Sequence, residues 1–207
     1  MKLIGFASAC ALALAAGTAS AAFTAFGDQA AWQAALASYT IEELDGIQIF
    51  DMQPGGGPYV VNSDFSITVE GNLGQSDDAF IDGGEFHGEI FPDAPDGHSA
   101  YVHTFNTPIH GFGQFFDGAA SGLGLRIETT EGTVDIFDYY TGFEDGWLGF
   151  VSDVPVTEVR IIGSDADGGT AVGEIYDALN VGYGVIPAPG SAALLGLAGM
   201  TLHRRRR

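Results

Sequence analysis

Leu123-Gly124-Leu125-Arg126-Ile127-Glu128 and Gly132-Thr133-Val134-Asp135-Ile136-Phe137 carry the fold signal of this chain. In the first run Leu123, Leu125 and Ile127 fall on one face. In the second, Val134 and Ile136 oppose Thr133 and Asp135. A period of two is the mark of a half-buried strand. Glu131-Gly132 between the runs predicts a hairpin with a short turn. The pattern recurs outward. Phe65-Ser66-Ile67-Thr68-Val69-Glu70 alternates cleanly, and Tyr101, His103 and Phe105 share a face. Residues 147–151, 156–162 and 176–183 read the same way. Pro54-Gly55-Gly56-Gly57-Pro58 and Asp165-Ala166-Asp167-Gly168-Gly169 punctuate the gaps as turns. One helix is expected over residues 29–38, where Asp28 stands as N-cap and Trp32, Ala35 and Leu36 fall at helical spacing. A parallel α/β fold needs a helix between strands, and no others are present before the tail. The expectation is a mainly β chain: an antiparallel sandwich or jelly roll with one N-terminal helix.

Charge divides the chain of 207 residues into three parts. Residues 1–21 hold one base, Lys2, and no acid, and residues 186–207 hold Arg204, Arg205, Arg206 and Arg207 and no acid. Between them lie all 27 acids against two arginines, Arg126 and Arg160, for a formal charge of −25. So acidic a segment repels phosphate backbones and anionic lipid surfaces, which excludes nucleic-acid partners. It is not a disordered composition, because 46% of the chain is hydrophobic, enough to build a core.

Residues 1–21 read as a secretory signal helix. Lys2 is the basic start, residues 3–16 are apolar, and Ala19 and Ala21 stand at the −3 and −1 positions of a cleavage site. Such a signal implies passage through the Sec translocon. Cleavage there removes Cys10, the chain's one cysteine, and leaves neither a disulfide framework nor a thiolate nucleophile. The other end runs Pro187-Ala188-Pro189-Gly190, then a small, apolar stretch to Leu202, then His203 and the four arginines. As a helix, residues 190–202 span about 20 Å, short of a hydrocarbon core of roughly 30 Å. The arginines hold that end on the cytoplasmic side. A short span with a proline start and a basic stop suits a transient anchor.

This tail, residues 185–207, resembles a PEP-CTERM sorting signal in its Pro-Ala-Pro variant, with Pro187, Ala188 and Pro189 as the motif and Arg204–Arg207 as the cluster. The resemblance implies processing by an exosortase-type membrane protease, with this chain as substrate. It also implies an exported protein of a Gram-negative-type envelope, transiently anchored in the inner membrane and bound for the cell surface or an extracellular, polysaccharide-containing matrix. Residues 22–184 are similar in type to the galactose-binding-like jelly-roll ectodomains that precede such tails, most of which have no assigned activity.

Candidate chemistry is sparse. Calcium takes roughly six to eight hard oxygens. The likeness to jelly rolls that hold an ion between an early strand and the last points to Glu43, Asp45 and Asp177, against a reading of all three as solvated surface acids. The Asp165-Ala166-Asp167 run starts like an EF-hand loop, but Gly169, Thr170 and Tyr176 stand where the loop wants an oxygen ligand, Gly and Glu. Asp77, Asp78, Asp82 and Glu85 form another acidic stretch without a recognisable spacing. His87, His98, His103 and His110 lie close in sequence but lack the i, i+4 spacing of helical metal ligands. Tyr139, Tyr140 and Trp147 flank a turn and form a candidate glycan-contact face, or else core residues beside that turn. No nucleophile elbow and no phosphate-cradling loop is present, so the expectation is a non-catalytic structural, adhesive or glycan-contacting module. A secreted glycan-active enzyme is the alternative, since 27 acids place some carboxylate pair at a hydrolytic distance by chance.

Overall fold

Asp28 caps the helix as its position predicts: its Oδ1 accepts the Ala31 N–H at 2.8 Å. In the computed structural model, which describes residues 22–71, 79–90, 100–117, 124–140, 145–164 and 174–186, the helix α1 spans Gln29–Ala34. It is shorter than the sequence pattern predicts. The Ala37 N–H turns away to donate to the Val185 carbonyl at 2.9 Å, and the chain continues as a strand.

Among the described residues twelve strands make the chain mainly β: β1 Phe23–Phe26, β2 Ser38–Glu42, β3 Ile49–Met52, β4 Tyr59–Val60, β5 Phe65–Glu70, β6 Ala79–Asp82, β7 Glu85–Ile90, β8 Ala100–Asp117, β9 Gly124–Glu128, β10 Thr133–Asp135, β11 Gly146–Ser164 and β12 Glu174–Val185. All join one antiparallel hydrogen-bonded sheet whose main path runs β10-β9-β11-β8-β12-β7-β6-β3. The sheet branches where its three longest strands change partners. β8 pairs β5 along Ala100–Phe105, and β12 along Gly111–Asp117. β11 pairs β1 near its start and β9 near its end.

The expected hairpin forms, and its register sets Ile127 opposite Val134 and Arg126 opposite Asp135. Thr129 organises its loop, its Oγ1 accepting the N–H groups of Glu131 and Gly132. β10 stops at Asp135, before the alternating pattern ends. There the Asp135 Oδ1 accepts the Phe137 N–H and starts a 3-10 turn over Ile136–Asp138. Arg126 clamps Asp135 from β9 through Nε and Nη2, at 3.2 and 3.0 Å. Arg160 pairs with Glu70 at 2.7 Å, so both arginines of the acidic segment are ion-paired.

The core collects alternate residues from every long strand. Phe65, Phe86, Phe112, Phe116 and Phe150 are fully buried, each stabilising the fold by roughly 1.5–3 kcal/mol through burial. A second cluster centres on Trp32 of α1 and Trp147 of β11, with Ile186 packed beside them. The expected signal segment, residues 1–21, and the expected sorting tail from residue 187 lie outside the described residues. Among the described residues no helix is long and apolar enough to cross a membrane.

Candidate functional site

The last strand brings one expected residue, Asp177, into a cluster. β12 has two successive partners along one of its edges. Val181–Val185 pair with β2, and Glu174–Ala178 pair with β7. This second pairing sets His87 opposite Asp177 and Phe86 opposite Ala178. Directly opposed residues share a face. Phe86 and Ala178 point into the core, so His87 and Asp177 lie together on the outer face, with Glu85 two residues before His87 on that face.

The His87 Nδ1 stands 2.6 Å from Asp177 Oδ1, and its Nε2 stands 3.7 Å from Glu85 Oε2. All three side chains are partly buried, at 29% exposure for His87, 32% for Asp177 and 40% for Glu85. Phe80, opposite His87 on β6, lays its ring 4.5 Å from the imidazole at 31°. One ligand atom from each of Glu85, His87 and Asp177 lies within 4.8 Å of the others.

Glu43 and Asp45 sit past the end of β2 rather than on it. Leu44 between them takes a left-handed φ of 61° and buries its side chain completely, which leaves both acids exposed. Asp45 docks on the β6–β7 turn, where its Oδ1 would lie 2.8 Å from a Cβ placed on Gly84. The Gln48 Nε2 donates to Asp82 Oδ1 at 2.9 Å and ties the same loop to the same hairpin. The three expected calcium ligands are thus divided. Asp177 faces His87 and Glu85, while Asp45 covers the turn that leads into Glu85. Glu85 and His87 were each visible in the sequence, and the polar–apolar alternation of Glu85-Phe86-His87 puts them on one face. Nothing in the sequence aligns that face with Asp177.

The other histidines have separate roles. His103 is 1% exposed among Phe65 and Phe112. Burial pulls its pKa from 6.5 down to about 4, against a smaller opposing influence of the Tyr101 backbone. The His110 Nδ1–H donates to the Ser152 carbonyl at 2.9 Å. His98 lies outside the described residues, as do Asp77, Asp78, Asp165 and Asp167.

Of the expected glycan-contact residues, Trp147 is 3% exposed and packs 5.0 Å from Trp32, so its ring offers no open face. The Tyr140 hydroxyl reaches the Gly27 and Trp147 carbonyls at 2.9 and 3.1 Å. Tyr139 keeps 41% exposure. A cleft of about 290 Å³ opens elsewhere, bordered by Tyr39, Thr40, Asp64, Thr107 and Tyr183. At its edge the Tyr183 hydroxyl donates to Asp64 Oδ2 at 2.7 Å. Burial first, and then Asp64, push the Tyr183 pKa up to about 12. No known family, curated protein or solved structure matches this chain.

Proposed function

We propose that this chain is an exported protein of the cell surface or extracellular matrix, with an acidic, non-catalytic β ectodomain and a C-terminal sorting tail cut by an exosortase-type protease. The observation that carries the reading is the order of the tail: Pro187-Ala188-Pro189, an apolar run, and Arg204–Arg207 at the end of an otherwise acidic chain. The charge pattern supports it, since −25 between two basic addresses describes a soluble, self-repelling exterior domain. The sheet is proposed to close as a two-layer sandwich. Phe65 lies 5.8 Å from Tyr183 and Phe86 lies 4.9 Å from Tyr101, each pair joining strands that are not neighbours in the sheet.

Contact with polysaccharide fits the cleft better than the Trp147 turn. Tyr39 supplies an exposed aromatic ring, and Thr40, Thr107 and Asp64 supply hydrogen-bonding groups, the combination by which sugars are held. Among the described residues one carboxylate, Asp64, lines this cleft, whereas glycoside hydrolysis uses two. That favours binding over cleavage. Mass spectrometry of the extracellular protein tests the reading: the expected product ends near residues 187–190, and a mature protein that retains Arg207 overturns it.

A further inference from the structure

We propose that Glu85 and His87 bind a divalent transition metal of the zinc class, His87 through Nε2, with Asp177 holding the imidazole from behind as a positioning residue. This does not depend on the sorting reading. Asp177 Oδ1, 2.6 Å from Nδ1, accepts the Nδ1–H and thereby fixes the tautomer. The Nε2 lone pair then faces Glu85. A carboxylate on the far nitrogen is the usual partner of a metal-binding histidine, because it orients the ring and raises its basicity.

The spacing on the near side suits two ligands of one ion. Bonds of roughly 2.0–2.1 Å at tetrahedral angles put two ligand atoms about 3.3 Å apart. Glu85 Oε2 and His87 Nε2 are 3.7 Å apart, too far for a hydrogen bond and within a small side-chain movement of that separation. The backbone frame is built from paired strands: Glu85 and His87 lie in the β6–β7 ladder, His87 and Asp177 oppose each other in the β7–β12 ladder, and the Phe80 ring packs tilted against the imidazole. The donor set selects the ion class. Imidazole suits zinc, copper and nickel, whereas calcium and magnesium want oxygen alone. Two protein ligands leave the remaining positions to water or to an external ligand.

The test is calorimetric titration of Zn²⁺ into the full chain, with Mg²⁺ in excess to occupy surface carboxylates. One saturable Zn²⁺ site per chain is expected, and its absence overturns the proposal. His87→Gln and Glu85→Gln are each expected to abolish it, and His110→Gln to leave it unchanged. A site that persists in His87→Gln overturns the assignment. Should His87→Gln fail to fold, Glu85→Gln removes the other ligand from a more exposed position, and a site that persists there overturns the assignment equally. Asp177→Ala is expected to weaken binding about 10–100-fold. Asp177→Asn, which keeps an oxygen acceptor for Nδ1–H, is expected to recover part of that loss, and equal losses in the two variants overturn the positioning role. In proton–nitrogen spectra of the parent, Zn²⁺ should shift the His87 ring signals, and a shift confined to other histidines counts against the site.

Discussion

The Trp32 indole N–H donates to the Phe150 carbonyl at 3.0 Å, 118 residues away, and fastens α1 to β11. The ring is fully buried and lies 5.0 Å from Trp147. Trp32→Ala removes both the packing and the hydrogen bond and is expected to cost about 3–5 kcal/mol. Trp32→Phe keeps much of the packing and loses the donor, for about 1–2 kcal/mol. Urea unfolding of the two variants measures the difference.

Gly182 lies beneath these two rings. A Cβ there would stand 2.7 Å from Trp147 Cη2 and 3.0 Å from Trp32 Cη2. Gly182→Ala is expected to destabilise by about 1–3 kcal/mol through overpacking. In the Trp32→Ala background the vacated space should make the same change cheaper, and a double-mutant cycle reads that coupling.

His103 gives a pH dependence with a definite sign. The folded protein holds its imidazole neutral down to about pH 4, while the unfolded chain protonates it near 6.5. Between those values the unfolded state binds the extra proton, so stability is fully present above 6.5 and falls as pH drops to about 4. The loss is on the order of 3 kcal/mol. His103→Leu should flatten that part of the stability profile. Denaturation at a series of pH values, parent against variant, separates His103 from the carboxylates.

Tyr183 should ionise only near pH 12, later than an ordinary tyrosine. Asp64→Asn removes the carboxylate that accepts its hydroxyl, and the pKa should fall part of the way toward 10. It should not return fully, because burial is the larger cause. Tyrosinate absorbance during alkaline titration measures the change.

Strand character was legible where one face is buried and the other wet, as in Phe65–Glu70 and the β9–β10 hairpin. Length was not. Residues 147–151 and 156–162 read as two strands, with Pro155 between them, yet β11 runs unbroken from Gly146 to Ser164. The ladder to β8 is irregular between Val151 and Val156, so the proline sits where regular pairing is interrupted. The early strand expected to carry Glu43 and Asp45 is β2, and it ends at Glu42, because Leu44 adopts a left-handed backbone to bury its side chain. The His87–Asp177 pair was beyond reach for another reason. Ninety residues separate the two, and only the handover of the β12 edge from β2 to β7 aligns them.

The placement of β12 has a consequence for the order in which the molecule can be finished. It is the final strand of the described chain and lies inside the sheet, between β8 on one side and β2 and β7 on the other. During synthesis from the N-terminus its partners are made first and must wait, their edges open, for the last strand to emerge. The keystone of the arch is the last stone delivered. Until it arrives the sheet has a gap at its middle, between β8 on one side and β2 and β7 on the other.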